Sequence, residues 1–282
     1  MAKLTTIDHD RGAAGLRYVY PVVSRRAGGV SVGINLNPNN ACNWRCVYCQ
    51  VPDLVRGAAP EIDRALLREE LDGFLRALFE GDWLEQRVEP EHRVVKDVAF
   101  SGNGEPTTAR PFDGLVDDVL DVLQRHGRLD TLNKVLITNG SMMQREEVQR
   151  GVARLGEAGG EVWFKLDSAT SAGREALNGT PTGPETARRN LRLAASRCRT
   201  RIQTCVVALD GSPPSDAEQT AYLDFLTTEL NAGTPLHDVL LYGLARPSHQ
   251  DPEGRVSKVD DAWLGELADR IRAVGLAVRV ST

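Results

Sequence analysis

The amino-acid sequence predicts an α/β protein built on a parallel sheet, and three observations carry that expectation. Six β-branched-rich runs alternate strictly with segments of helical periodicity. Such alternation calls for right-handed crossovers between parallel strands, in either an open doubly wound sheet or a barrel. Polar and glycine-rich residues gather just after the first three runs, as NPNNACNWRC, GNGEPT and NGSMM. In both parallel architectures functional groups sit at the carboxyl ends of the strands, so these motifs share one rim.

Taken in order, residues 16–30 read as a hairpin or extension turning at Gly28 and Gly29. The strands follow at 31–37, 97–101, 134–138, 161–167, 201–207 and 238–242. A first helix is expected from about Asp63 to Phe79, with Leu67, Leu71, Phe74, Leu75 and Leu78 on one side. A second spans 112–126 and repeats Leu115, Val116, Val119, Leu120 and Leu123. Helices at 143–155 and 184–197 come next. The helix at 215–230 opens with Ser215 and Glu218 at capping-box spacing. A last helix at 260–274 precedes a short strand at 276–280. Internal repeats, low-complexity tracts and linkers are lacking. Residues 1–282 are therefore expected to form one domain, with an extension over 1–30, the strand–helix units over 31–243 and a closing helix and strand over 258–282.

The composition is that of a globular chain, with 41% hydrophobic and 26% charged residues in 282. Apolar runs fall short of the ~20 residues that a membrane span needs. The start, MAKLTTIDHDRG, lacks the apolar stretch of a secretory signal, so a cytoplasmic location is expected. The net charge of −5 argues against a globally basic nucleic-acid footprint. The densest basic stretch holds Arg188, Arg189, Arg192, Arg197, Arg199 and Arg201. It reads first as a solvated helix face running into the next strand, with a local RNA contact as the other reading.

Three of the five cysteines fall within eight residues, as Cys42-Asn43-Trp44-Arg45-Cys46-Val47-Tyr48-Cys49. In a cytosolic chain such clustering points to metal or redox chemistry rather than to disulfides. Thiolates are the natural ligands of iron–sulfur clusters, and a 4Fe–4S cube normally takes four. Three on one short loop leave one iron with an open position, which a catalytic cluster needs. A structural zinc site needs four closed ligands, and no fourth Cys or His follows at finger spacing. A four-cysteine electron-transfer cluster would have to draw on Cys198 or Cys205. Those two otherwise read as buried core cysteines.

The C-x3-C-x2-C spacing with the aromatic Tyr48 before the last cysteine resembles the signature of the radical S-adenosylmethionine (SAM) superfamily. The resemblance spans residues 31–242 and implies a partial (β/α)6 TIM-like barrel, which matches the six units read above. It also implies a 4Fe–4S cluster on Cys42, Cys46 and Cys49 whose open iron chelates the amino and carboxylate groups of SAM. An injected electron then cleaves SAM to methionine and a 5′-deoxyadenosyl radical that abstracts hydrogen. Ser101-Gly102-Asn103-Gly104-Glu105-Pro106 resembles the family's Gly-Gly-Glu element, in a GxGEP variant in which Asn103 separates the glycines. The resemblance gives Glu105 the SAM amino group. Asn139, in Thr138-Asn139-Gly140, reads as a turn residue or as part of the rim. Lys165 and Asp167 share a strand face and read either as a buried ion pair or a helix cap, or as site residues, since the family often places polar residues such as these and Ser168 against the ribose or the methionine carboxylate. Gln203 and Arg201 share a face of the next strand, and either one points inward. Tyr242 to Pro247 lie where adenine contacts of the family fall. Among the five histidines only His249 lies near this rim.

The stretch CVYCQVPDLVRGAAPEID with SGNGEPT, ITNGS and VWFKLDS is similar to a group of bacterial radical SAM proteins akin to the radical SAM half of wybutosine-type tRNA-modifying enzymes. That resemblance implies an oxidoreductase-type radical reaction with tRNA as a substrate to consider. A flavodoxin-like half is not found in these residues, so an external flavodoxin- or ferredoxin-type donor is expected. Three alternatives stay open: a protein-modifying radical activase, a non-catalytic iron–sulfur electron carrier, and a zinc-stabilised binding module.

Overall fold

A computed structural model describes residues 3–5, 14–24 and 28–281. Along the chain a hairpin of β1 (Val19–Ser24) and β2 (Gly29–Ile34) is followed by the short pair β3 (Ala41–Cys42) and β4 (Val55–Arg56). Then come α1 (Arg64–Phe79), the short α2 (Trp83–Arg87), β5 (Val95–Phe100), α3 (Phe112–Arg125), β6 (Asn133–Thr138), α4 (Glu146–Glu157) and β7 (Glu161–Lys165). Two helices, α5 (Ser171–Asn178) and α6 (Pro184–Ala195), precede β8 (Arg199–Val206), the short β9 (Ala208–Leu209) and α7 (Asp216–Asn231). The chain continues through β10 (Leu236–Gly243), the short β11 (Val256–Ser257), α8 (Asp261–Ala273) and β12 (Val278–Ser281).

Eight strands form one sheet in the order β1-β2-β5-β6-β7-β8-β10-β12. Its β1–β2 pair is antiparallel, with Val19 facing Ile34, and every later pair is parallel. Spatial order follows chain order without reversal, so each crossover adds its strand to the same edge. A doubly wound sheet would reverse direction at a switch point. Here the sheet curls into a half-barrel, which decides between the two architectures open to the sequence.

Alternation along each strand separates two environments. Val98, Phe100, Leu136, Val162, Phe164, Ile202, Val239 and Leu241 face outward into the main core under the helices. Ala99, Val135, Trp163 and Leu240 form a separate apolar group on the concave side, with Ile137 beside it. Each buried aliphatic or aromatic side chain on the convex face contributes roughly 1.5–3 kcal/mol. Asp63 caps α1, accepting from the amides of Ala65 (3.1 Å) and Leu66 (3.0 Å). Glu70, buried in the same helix, accepts from the amides of Arg17 (2.8 Å) and Tyr18 (2.7 Å), fastening the N-terminal extension to the barrel.

Several boundaries differ from the sequence expectation. The hairpin forms, but β2 starts at Gly29 and ends at Ile34 rather than at residue 37. Part of its turn, residues 25–27, lies outside the described residues. Beyond Ile34 the Asn35 side chain takes over, accepting from the amides of Asn37 and Asn103, each at 3.1 Å. β7 likewise stops at Lys165, before Asp167. The capping box at α7 is half realised. The Glu218 amide donates to Ser215 Oγ (3.3 Å), while the Glu218 carboxylate accepts from Ser168 Oγ (2.7 Å) and Thr170 Oγ1. α5 has no counterpart in the predicted elements. Its buried residues are Arg174 and Asn178, both polar, so it carries no apolar stripe for periodicity to register.

Phe164 is buried on the convex face, and its ring packs where a Cβ on Gly140 would lie 2.1 Å away. Phe164→Ala is expected to cost about 3–5 kcal/mol, read as a lower urea midpoint at unchanged slope.

Candidate functional site

The loop after β2 carries the three cysteines across the carboxyl rim of the half-barrel. Cys42, Cys46 and Cys49 border one cavity of about 320 Å³ together with Tyr48, Gly102, Asn103, Gly104, Glu105, Asn139 and Lys165. Residues from all eight strands of the sheet and several of their following loops thus converge, as the shared rim required. Trp163, Gln203, Cys205 and Tyr242 complete much of the inner wall. All five cysteines are free. Burial pushes the Cys42 thiol up to about 12 and the Cys46 thiol to about 11; the Lys165 ammonium pulls Cys46 back. Cys198 lies elsewhere, buried against the Gly160 carbonyl at 3.3 Å.

The cysteine loop is tied down on every side. Asn103 Nδ2 donates to Asn40 Oδ1 (2.6 Å), Asn139 Nδ2 to Asn43 Oδ1 (2.9 Å), and Asn43 Nδ2 to Ser141 Oγ (2.7 Å). A strap after β10 closes the other flank. Ser248 Oγ donates to the carbonyls of Val47 (2.6 Å) and Cys49 (3.1 Å), and the His249 amide donates to Cys49 O (2.9 Å). His249 therefore contributes its backbone, and its side chain is exposed.

The glycines of the GNGEP turn are demanded by neighbouring chain. Gly102 has φ +141°, and a Cβ there would meet Asn35 Oδ1 at 2.4 Å. On Gly104 a Cβ would meet the Ala41 carbonyl at 2.1 Å. Both glycines thus let the second loop press against the cysteine loop. Glu105 is buried, and its Oε1 accepts from Thr107 N (3.1 Å), Thr107 Oγ1 (2.5 Å) and Thr138 Oγ1 (2.6 Å). Its Oε2 accepts from the Asn139 amide at 2.7 Å. Burial raises the carboxyl above its usual range, and these hydrogen bonds pull it part of the way back.

Asp167 and Ser168, expected at the rim, do not border the cavity. Asp167 is a buried junction. Its Oδ1 accepts from the Cys205 amide (2.8 Å), and its Oδ2 accepts from Asn178 Nδ2 (2.7 Å) and from the Tyr48 hydroxyl. The Lys165 ammonium stands 3.7 Å from Oδ2 and 5.1 Å from the Tyr48 ring centre. Burial works to lower Lys165, yet the Asp167 carboxylate, acting with the Tyr242 hydroxyl and the Cys46 and Cys205 thiols, outweighs it and holds the ammonium above its ordinary range. Ser168 is turned toward Glu218 on the helical side. Of the next strand's pair, Gln203 reaches the cavity with its buried Oε1 lacking a partner. Arg201 is locked below, between Glu161 (2.8 Å) and Asp238. Sequence reasoning missed Trp163, Arg174 and Asn178 altogether. Trp163, at least, sits two positions before Lys165 on the same face.

The donor set suits an iron–sulfur cluster. Three free thiols border one cavity, while among the described residues no three His, Cys, Asp or Glu side chains are gathered to grip a single metal ion. The partial barrel is similar in fold to solved radical SAM enzymes. A radical SAM methyltransferase from Sphaerobacter thermophilus matches with a TM-score of 0.59 and 16% identity, over 90% of this chain and 66% of that one. TYW1 with a lysine–pyruvate adduct bound matches at 0.56 and 15%, over 88% of this chain and 74% of that one. A point mutant of spore photoproduct lyase matches at 0.52 and 12%, over 99% and 82%. No protein-family model matches the chain. The GTPase Obg of Brachyspira hyodysenteriae is 25% identical over 129 residues, 46% of this chain but 16% of that protein, too small a share to inform the site.

Asp167→Asn would leave the Lys165 ammonium buried without its countercharge. A loss of about 3–5 kcal/mol in urea unfolding is expected; a wild-type midpoint would show that the ammonium is held by other groups.

Proposed function

We propose that this chain is a radical SAM enzyme, with Cys42, Cys46 and Cys49 holding a 4Fe–4S cluster at the carboxyl rim of the half-barrel. The observation that carries this reading is the shared cavity: the C-x3-C-x2-C thiols and the GNGEP turn, about sixty residues apart in the chain, face the same space. When bound, such a cluster supplies an electron to SAM and so generates a 5′-deoxyadenosyl radical.

The protein's own groups divide the remaining work. Glu105 Oε1 is already taken by three donors, whereas Oε2 has one and keeps acceptor capacity for the SAM ammonium. Lys165, on the cavity wall, offers a cation to the methionine carboxylate. The apolar patch of Ala99, Val135, Ile137 and Trp163 lines the concave wall and keeps water from it. Gln203 Oε1 waits on that wall for a donor from the substrate.

For the substrate, the sequence likeness to wybutosine-type enzymes favours a tRNA base. The arginine-rich stretch adds no support. Arg188 (3.1 Å) and Arg192 (2.8 Å) bind Glu229, Arg197 bonds Gln149 at 2.5 Å, and Arg199 stands against His237. A separate flavodoxin- or ferredoxin-type reductant, and a cytoplasmic setting that keeps the five thiols free, complete the reading. Among the described residues no helix is long and apolar enough to cross a membrane.

Anaerobic reconstitution with iron and sulfide, followed by SAM and dithionite, should yield 5′-deoxyadenosine in the wild type and none in Cys46→Ala. A loaded cluster that gives no product, and whose EPR spectrum ignores SAM, would sink the proposal in favour of an electron carrier. Glu105→Gln is expected to weaken SAM binding roughly 10- to 100-fold, measured by calorimetry on the reconstituted protein, because a charge-assisted hydrogen bond is lost.

A further inference from the structure

Helix α5 ends against the cysteine loop. The carbonyls of Leu177 and Asn178 accept from the amides of Val47 (2.9 Å) and Arg45 (3.0 Å), one on each side of Cys46. Asn178, fully buried, points its Nδ2 at Cys46 Sγ at 3.4 Å. One turn earlier lies Arg174, 2% exposed, with its guanidinium 5.2 Å from the ring centre of Trp44. That tryptophan sits between Cys42 and Cys46.

Arg174 is an unusual group to bury. Its Nε donates to the Thr182 carbonyl at 2.7 Å, and its Nη1 has no hydrogen-bond partner. By contrast, the buried Arg201 is paired with two carboxylates, those of Glu161 and Asp238. A guanidinium taken out of water without a countercharge destabilises the fold, so its presence calls for an anion close by. Burial does lower its affinity for the proton, and Asp167 and Cys46 oppose that effect.

Resting on the cluster reading above, we propose that α5 tunes the electron affinity of the cluster: the Arg174 charge and the Asn178 N–H···S bond stabilise its reduced form. A cluster on three thiolates is anionic and becomes more so when it takes one electron from the reductant, which loses one. A fixed cation and a hydrogen bond to a ligating sulfur both favour the more negative state. Neither residue borders the cavity, so both act through the cysteine loop as positioning and tuning residues.

The test is an anaerobic redox titration of reconstituted wild type, Arg174→Met, Arg174→Lys and Asn178→Ala, following the EPR signal of the reduced cluster. Arg174→Met should hold electrons about tenfold less well, a shift of ~59 mV to more negative potential for one electron. Asn178→Ala should shift less in the same direction, and Arg174→Lys should stay near the wild type. A wild-type midpoint for Arg174→Met overturns the proposal, as does an equal shift in Arg174→Lys, which would make packing the cause. Thermal unfolding of the metal-free proteins guards against a folding defect. Arg174→Met should be at least as stable as the wild type, and a lower Tm would show that the charge serves the fold instead. If the wild type takes up no iron and sulfide, the function proposed above fails and takes this inference with it; a loaded cluster with unshifted variants removes the inference alone.

Discussion

Asp167 receives hydrogen bonds from the Tyr48 hydroxyl, the Asn178 amide and the Cys205 backbone, and it faces the Lys165 ammonium. Those partners come from the cysteine loop, from α5, from β8 and from β7. One carboxylate therefore joins the four pieces that shape the rear of the cavity. Buried charge is costly unless it is paired and hydrogen-bonded, and here both oxygens find donors. The arrangement ties the position of Cys46 to the barrel wall, because Tyr48 and Asn178 each link Asp167 to the loop on which the thiol sits.

Glu105 plays the same part at the front. Its carboxylate gathers donors from Thr107, Thr138 and Asn139, joining the loops after β5 and β6. Asn139 then passes the connection to Asn43 in the cysteine loop. The glycines beside Glu105 let the two loops meet where a Cβ would collide. Two buried acids, one on each side, thus hold a loop with little regular structure of its own. A site built this way is preorganised by the groups behind it, and the loop needs no helix or strand to stay in place.

The curl of the sheet gives those contacts their geometry. Period-two alternation sends most of the bulky residues of β5, β6 and β7 outward under the helices and leaves smaller or functional ones inside, with Trp163 the large exception. At the amino end of the strands Arg201, Glu161 and Asp238 pair up, with Arg279 also 3.2 Å from Asp238. Polar side chains inside the barrel are therefore divided by height: a neutralised layer below and a layer with open valences above.

The alternation of strands and helices, the three-cysteine loop and the placing of its motifs after strands could all be read in the residues themselves. These follow from local periodicity and spacing, which each segment carries independently of the rest. Alternation alone fits two ways of stacking crossovers, so the half-barrel was legible in the sequence only through the family resemblance, and the tertiary structure bears it out in the sheet order. A buried Lys165–Asp167 ion pair was one of the readings open to the sequence, but the partners that hold Asp167 and Ser168 off the cavity escaped it. Position on a strand end puts a side chain near the rim, but the neighbour that captures it, Tyr48 or Glu218, comes from more than forty residues away. α5 shows the same limit most clearly. Its buried face is made of Arg174 and Asn178, whose burial makes sense only once the cysteine loop is packed against them.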